Sequence, residues 1–368
     1  MNTDLLYKIA IDMIPMVGGI TAKRLLSYCG SAEAVFRANK TELLRIPNIG
    51  EGLANSILNA DVLKKAQQEL IYTEKNNIKV LFYTDKDYPE YLFQCEDSPV
   101  ILFQKGDINL NSYHAISIVG TRNATRYGIE MCEKLIADIA SHGHNPVIVS
   151  GLAYGIDVCA HKAALKHGLQ TIAVVGTGLD KMYPAAHRGI ANDIVKQGAI
   201  LTDFPTGTVI DRKNFIRRNR IVAGLSKVTI VVESGEKGGA MVTADIASSY
   251  NRDVMAYPGR VGDEFSVGCN KLIKTNIAAV IENIEDLEAV MGWDSYSNGK
   301  SVKQLPLFNL LSEEEISIIN ILRESNSEMI DVLAYKTGLP MAKLSALLLN
   351  MEFSGYIKAL PGKIYKLL

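Results

Sequence analysis

The sequence predicts a three-domain α/β protein built around a doubly wound, mostly parallel sheet. Between Ala115 and Ile273, apolar strand-like segments each end in a glycine-rich loop. The stretches between these segments have helical periodicity, so that strand, loop and helix alternate, which is typical of parallel sheets covered by helices on both faces. The chain has 368 residues, more than one hydrophobic core usually covers, so two or three domains are expected.

Four strand-like segments define the predicted sheet. They cover residues 115–119, 147–150, 171–175 and 228–233, and each runs into a loop rich in glycine. Ligands of such sheets bind beyond the carboxyl ends of the strands. Backbone N–H groups and helix N-termini point outward at that edge and favour anions. The pattern therefore predicts an anionic, phosphate-bearing ligand.

The N-terminal region, residues 1–75, contains an internal repeat. Residues 14–26 align with residues 46–58, and in both copies a proline and a glycine lie close together before an alanine and two aliphatic residues. This spacing predicts helix, tight turn, helix, because glycine permits the turn and lets its backbone approach a phosphate. The repeat resembles a tandem helix-hairpin-helix module of the kind that grips nucleic-acid backbone. A helical bundle that serves only for packing is the alternative.

The central domain is predicted to cover residues 76–292. Its first part contains two strand-like segments, 79–83 and 100–103, which we expect to extend the sheet. A polar stretch at 294–301 indicates a linker, placed at residues 293–306.

The C-terminal domain, residues 307–368, is predicted to be a winged helix. Ser312 and Glu315 have the spacing of a capping box at a helix start. Helices are expected near 316–324, 329–337 and 341–354, followed by two short strands around Pro361 and Gly362. The expected recognition helix carries only Lys343 as a base, which favours a protein-interaction or dimer module over DNA reading.

Composition and charge argue against several classes of protein. The formal net charge of −1 gives no general attraction to polyanions, so any nucleic-acid binding must come from a local patch. The five cysteines are scattered without a CxxC pair, which argues against disulfides and a zinc site. The N-terminus lacks a signal-peptide pattern and no apolar run is long enough to cross a bilayer. We expect a soluble, cytoplasmic protein that does not contact membranes.

Nucleotide-cofactor motifs are incomplete. Gly176 and Gly178 follow a strand, but Lys181 stands where the dinucleotide fingerprint needs its third glycine, and Gly120 has no partner glycine two residues later. No glycine precedes Lys-Ser or Lys-Thr at P-loop spacing. We therefore expect no NAD, ATP or other cofactor.

A basic run lies beside the glycine loops. Five bases fall within nine residues, and an aromatic ring and an amide are interleaved with them: Arg212, Lys213, Phe215, Arg217, Arg218, Asn219 and Arg220. Bases with an interleaved aromatic are typical of single-strand recognition, in which arginine holds phosphate and the ring stacks on a base. The alternative is a solvated basic face. Arg122, after Gly120 and Thr121, is a second candidate phosphate ligand, because its guanidinium can hold two oxygens. The alternative role for Arg122 is an ion pair within the protein.

The central motifs resemble the DNA-processing protein A family, also called DprA or Smf. The resemblance extends over residues 87–281 and is carried by four ordered motifs: Ile118-Val-Gly-Thr-Arg122; Ser150-Gly-Leu-Ala-Tyr-Gly-Ile-Asp157 with Ala160-His161; Arg218-Asn-Arg-Ile-Val-Ala-Gly-Leu-Ser226; and Tyr257-Pro-Gly259 with Ser266-Val-Gly-Cys-Asn270. Longer members carry a helical, SAM-like N-terminal module and a C-terminal winged helix. The resemblance implies an extended Rossmann-like domain between those two modules.

The same resemblance implies a function and a site. Members are non-catalytic, sequence-independent single-stranded DNA-binding proteins that protect incoming strands and load a RecA-type recombinase in natural transformation. Homodimers are expected. The motifs place Arg122, Arg218, Asn219 and Arg220 at the DNA, with backbone approach at Ser150, Gly151, Gly155 and Gly176. Many relatives have lysine at Tyr154, so tyrosine could stack here while Lys181 or Lys237 replaces the charge.

Three acidic or imidazole side chains leave an enzyme open as the alternative. Asp157 and His161 share a helix face, but two ligands do not complete a metal site, and a structural role is favoured. Glu233 at a strand end suggests a nucleotide-processing enzyme that cleaves a glycosidic bond, although its loop lacks the corresponding motif. A third possibility is a scaffold whose outer domains recruit partners.

Overall fold

The computed structural model describes residues 3–111, 114–293, 312–325, 327–353, 356–360 and 363–367. The chain divides into two compact units, Met1–Tyr296 and Ser297–Leu368. The first unit contains a helical module and a nine-stranded sheet, and the second contains helices with a small antiparallel sheet. The predicted fold class is confirmed. The predicted linker at 293–306 lies outside the described residues apart from Trp293.

The helical module begins the first unit. Its helices are α1 Thr3–Asp12, α2 Gly19–Cys29, α3 Ala32–Arg37, α4 Lys40–Leu44, α5 Glu51–Leu58 and α6 Leu63–Lys75. The two repeat copies have the same turn geometry, since Met16 and Asn48 both adopt positive φ, at 67° and 63°. Gly18 and Gly50 then form the N-caps of α2 and α5. The repeat therefore encodes two equivalent helix–turn–helix hairpins.

Nine strands form the central sheet in the order β1-β2-β6-β5-β4-β3-β7-β8-β9. Their bounds are β1 Lys79–Phe82, β2 Ile101–Lys105, β3 Ala115–Val119, β4 Val147–Ser150, β5 Thr171–Val174, β6 Ala199–Thr202, β7 Val228–Val231, β8 Asp253–Ala256 and β9 Ala279–Val280. The pairs β1–β2 and β2–β6 are antiparallel, and the other neighbours are parallel. The strands predicted to end at Val175 and Glu233 end earlier, and β6, β8 and β9 were not predicted. The two entry strands extend the sheet as expected.

Helices cover both faces of this sheet. They are α7 Glu90–Phe93, α8 Arg126–Ser141, α9 Ile156–Lys166, α10 Arg188–Gln197, α11 Arg212–Gly224, α12 Gly239–Ser249, α13 Val267–Lys274 and α14 Ile284–Met291. Side chains alternate along β3, so that Ala115 and Val119 join the core beneath α11 and α12, whereas Ile116 and Ile118 join the core beneath α8 and α9. The apolar strands are thus buried on both faces.

The second unit has the helices and strands of a winged helix. Its elements are α15 Glu313–Ser325, β10 Glu328–Met329, α16 Ile330–Thr337, α17 Met341–Phe353, β11 Ile357–Leu360 and β12 Ile364–Leu367. The Ser312–Glu315 capping box is confirmed, because each backbone N–H bonds to the other side chain. The helix expected from residue 329 begins one residue later, because β10 pairs with β12. Pro361 and Gly362 lie outside the described residues.

No single helix among the described residues is long and apolar enough to cross a membrane. The segments Ile330–Thr337 and Met341–Glu352 meet that length and composition only as a pair, with a 112° bend between them.

Candidate functional site

A cavity of about 1270 Å³ opens at the carboxyl edge of the sheet. The strand order reverses here, because β4 lies on one side of β3 and β7 on the other. Such a switch point is where open α/β sheets bind ligands, since the loops after the two strands diverge. The cavity, called the switch-point pocket below, is lined by the loops after β3, β4 and β7 and by α11 and α12.

The loop after β3 supplies Gly120, Thr121 and Arg122 to this pocket. The backbone N–H of Thr121 donates to the carbonyl of Glu233 at 2.7 Å, which joins the loops after β3 and β7. Arg122 is exposed, and its guanidinium carbon lies 5.9 Å from the centre of the Phe215 ring. The charge and the ring therefore face the same space, which fits the predicted combination of a phosphate ligand and a stacking surface.

One face of α11 lines the pocket. The residues of this face recur at helical spacing and are Arg212, Phe215, Ile216 and Asn219. The helix begins at the N-cap Asp211, whose side chain accepts the N–H of Lys213 at 2.7 Å. Tyr183 packs on Phe215 with ring centres 5.3 Å apart and also lines the pocket. An aromatic pair thus stands beside the exposed Arg122.

Arg218 lies at the pocket floor and is 3 % exposed. Its guanidinium donates to the carbonyl of Val174, and it lies against Gly151, where any side chain would collide with it. Burial lowers the pKa of Arg218 to about 10, opposed by the charge of Asp157. Arg218 therefore reaches the pocket from beneath, held by the sheet, and presents little surface to a ligand.

Arg220 and Arg217 lie outside the pocket lining. Both pair with Asp203, whose Oδ2 is 2.7 Å from Arg220 and 3.0 Å from Arg217. Asp203 is buried, and the side chain of Arg220 is only 11 % exposed. Arg220 was expected to face the pocket, but successive residues of a helix point in different directions, and Arg220 turns toward this buried carboxylate instead. Arg217 is half exposed on the same side.

Several residues of the glycine-rich loops pack against other parts of the protein. Gly155 adopts φ of +76°, and an added Cβ there would meet the carbonyls of Thr121 and Arg122. Gly176 lies beneath Phe215 and is buried. The Ser150 side chain is buried and donates to the carbonyl of Ile118 at 2.6 Å. These three residues lie outside the pocket lining, and of the four residues expected to approach a ligand through their backbone only Gly151 lines the pocket.

Three further predicted side chains divide between the pocket and its surroundings. Lys237 lines the pocket and is exposed. Tyr154 is half exposed outside the lining, and its ring centre lies 4.8 Å from that of His187 in an edge-to-face arrangement. Lys181 is exposed outside the lining. Of the two lysines offered as replacements at Tyr154, only Lys237 is in place to face a ligand in the pocket.

Arg212 and Tyr183 are among the lining residues that were missing from the predicted site. Arg212 was part of the recognised basic run, and its spacing from Phe215 and Asn219 could have placed it on their face. Tyr183 carries no comparable signal, since it lies in a loop between β5 and α10. Its position follows from packing against Phe215.

Asp157, Glu233 and His161, the candidates for catalysis, contact other groups of the protein. Burial raises the pKa of Asp157, and the charge of Arg218 opposes that rise. Glu233 lies outside the lining and accepts the N–H and hydroxyl of Thr125 at 2.9 and 2.5 Å. His161 is buried, and its Nδ1 contacts the Thr171 hydroxyl at 2.7 Å.

The pocket is lined by four basic and three acidic side chains, with Arg122 among those exposed. The pocket therefore presents both cations and an aromatic surface to an anionic ligand.

Comparison with known proteins identifies two segments of the chain. The family model described as DNA recombination-mediator protein A matches residues 79–292, and the one described as DprA winged helix domain matches residues 308–363. The chain is 29 % identical to Protein Smf of Synechocystis, over 99 % of each chain.

Two solved structures are also similar. DNA processing protein A from Streptococcus pneumoniae superposes with a TM-score of 0.66 at 30 % identity, covering 78 % of this chain and 98 % of that one. DNA processing protein A from Helicobacter pylori, whose structure concerns its single-stranded DNA binding mode, gives 0.53 at 29 % identity, covering 60 % and 97 %.

Proposed function

Because the chain belongs to the DNA recombination-mediator protein A family, we propose that it binds single-stranded DNA in the switch-point pocket. In this role it protects incoming strands and loads a RecA-type recombinase during natural transformation. The cytoplasm is the proposed place of action, since a recombinase and its DNA meet there.

The observation that carries the proposal is the placement of Arg122 beside Phe215. The exposed guanidinium of Arg122 lies 5.9 Å from the partly buried Phe215 ring, which offers a phosphate contact and a stacking face within one nucleotide's reach. Arg212 and Asn219 lie on the same face of α11, and Lys237 lies across the pocket. A strand of nucleic acid needs this alternation of charge and ring along its path.

Binding is proposed to be independent of base sequence. Phosphate contacts position a strand without reading its bases, and every base presents a π face to an aromatic ring. Since the net charge of the whole chain is −1, attraction depends on the local charges of the pocket. Affinity should fall steeply with salt as counterions are released.

We propose that the pocket carries out no chemical reaction. The enzyme alternative needs Glu233 at a substrate, but both of its carboxylate oxygens accept hydrogen bonds from Thr125. Glu233 thereby fixes the start of α8, and Gly128 in the first turn of that helix lies against the carboxylate, where any added side chain would collide with it. This arrangement supports a structural role for the carboxylate.

The outer modules are proposed to serve assembly. Residues 1–75, 76–292 and 307–368 are the proposed domains, and the winged helix is proposed to contact protein. Its α17 carries Lys343, whose ammonium pairs with Glu314 at 2.5 Å, which leaves little free positive charge for DNA. A homodimer would place two pockets on one strand and raise avidity.

Fluorescence anisotropy of a labelled oligo-dT across a salt series tests the proposal. Wild type should bind tightly at low salt, and Arg122→Ala should bind more weakly with a log–log salt slope reduced by about 1. Arg126→Ala is the matched control, because Arg126 is also exposed but pairs with Glu130 outside the pocket. Identical curves for the two variants, or no binding by wild type, would overturn the proposal.

A further inference from the structure

Three side chains that commonly bind metals converge far from the switch-point pocket. Nδ1 of His142 lies 2.9 Å from Oε1 of Glu288, and Nε2 of His144 lies 2.7 Å from the same oxygen. All three donor atoms lie within 4.8 Å of one another. Glu288 is 2 % exposed, so its carboxylate is removed from water and directed at the two imidazoles.

This cluster lies at the opposite edge of the sheet. His142 caps the end of α8, and His144 follows in the loop that enters β4 at Val147. That loop is at the amino end of the parallel strands, whereas the switch-point pocket is at the carboxyl end. The cluster therefore takes no part in the proposed DNA contacts.

We propose that His142, His144 and Glu288 form a binding site for a divalent transition-metal ion of the zinc and nickel class. Imidazole and carboxylate suit these ions, and two histidines with one glutamate are a ligand set that leaves a fourth position for water. The side chain of His142 is 35 % exposed, which provides a path of entry for the ion.

The geometry needs only a small adjustment. Ligands at 2.0–2.1 Å around a tetrahedral ion are about 3.3 Å apart. The present separations of 2.9 and 2.7 Å must therefore widen by roughly half an ångström, which side-chain rotation provides. The ion would join the end of α8 to α14 and stabilise the first unit by mass action.

Trp293 is a built-in reporter for this site. It is the single tryptophan of the chain, and its ring centre lies 4.2 Å from that of His144 in a stacked arrangement. Nickel bound to His144 should quench the fluorescence of Trp293, because a paramagnetic ion at this distance deactivates the excited indole ring. Diamagnetic zinc should then compete the nickel away and restore the signal.

The test uses the full chain without an affinity tag. We expect isothermal titration with zinc chloride to give one equivalent bound, with affinity reduced at least about tenfold in His144→Gln. Glutamine keeps an N–H donor toward Glu288 but is a poor metal ligand. His142→Gln is the second variant, in case His144→Gln does not fold. His167→Gln, which removes an exposed histidine elsewhere, is the control.

Two results would overturn the site. One is zinc binding and nickel quenching in His142→Gln and His144→Gln that match the His167→Gln control. The other is the absence of both signals in wild type at millimolar metal.

Discussion

The guanidinium of Arg218 lies directly against Gly151, so that the loop after β4 can pass over a buried arginine only because it has no side chain there. Arg218 also donates to the carbonyl of Val174 in β5. A glycine loop of a kind that often binds phosphate therefore accommodates the guanidinium of the protein's own Arg218. The switch-point pocket is built on this contact, since both residues line it.

Gly151→Ala should destabilise the first unit by about 1–3 kcal/mol, because the new methyl group displaces Arg218 from its buried position. Urea unfolding followed by the fluorescence of Trp293 measures this, since that tryptophan packs on His144 within the same unit. Gly189→Ala is the control, because an added Cβ there meets nothing within 4 Å and alanine favours the helix. Equal stability of the two variants would contradict the packing role of Gly151.

Arg220→Gln should lower the free energy of unfolding by about 3 kcal/mol, because it removes one cation from the buried carboxylate of Asp203. Arg217→Gln should cost less than about 1 kcal/mol, since Arg217 is half exposed and its pair is screened by water. Neither variant should change the salt slope of DNA binding, as both side chains lie outside the pocket lining. A reduced salt slope in Arg220→Gln would instead show that Arg220 contacts DNA phosphates.

Phe215→Leu should weaken single-stranded DNA binding by about 1–3 kcal/mol, roughly 5- to 150-fold, through loss of base stacking. Its salt slope should stay that of wild type, because no phosphate contact is removed. Anisotropy titrations measure both quantities. Phe93→Leu serves as the control, since Phe93 is an exposed phenylalanine away from the pocket. Unchanged affinity in Phe215→Leu would exclude stacking on this ring.

Acid should destabilise the first unit through His161. Burial, together with the charges of Arg218 and His187, lowers the pKa of His161 to about 3 from the ordinary 6.5. Between these values the unfolded chain binds a proton that the folded chain does not, so stability present above pH 6.5 is lost as the pH falls toward 3.

His161→Gln should therefore flatten the dependence of unfolding free energy on pH by about 1.4 kcal/mol per unit within that window. Urea unfolding at a series of pH values, with Trp293 as the probe, measures the slope. The exposed His167→Gln should retain the wild-type slope. Parallel curves for His161→Gln and wild type would show that His161 does not carry the effect.

The sequence predicted the parallel part of the sheet well, because strand, glycine loop and helix alternate from β3 to β7. It missed β6 because Ala199–Thr202 is a short apolar run that periodicity cannot distinguish from a buried helix segment. β8 and β9 are equally short.

The basic run on α11 was predicted as a unit, but the structure divides it between two sides of the helix. Arg212 and Asn219 face the pocket, whereas Arg217 and Arg220 turn to Asp203. The phase of the helix depends on tertiary contacts, chiefly Phe215 over Gly176 and Ser117 bonding to Val222, which join residues distant in sequence. The motif resemblance could name the residues without showing which of them are buried.

Photo-crosslinking tests the central claim most directly. An oligo-dT containing 4-thiothymidine would be irradiated with the protein and the modified peptides mapped by mass spectrometry. Single-stranded DNA in the switch-point pocket predicts crosslinks in the peptides that contain Phe215 and Tyr183, lost when unlabelled oligo-dT competes. Crosslinks confined to residues 1–75 or to the second unit would contradict the account.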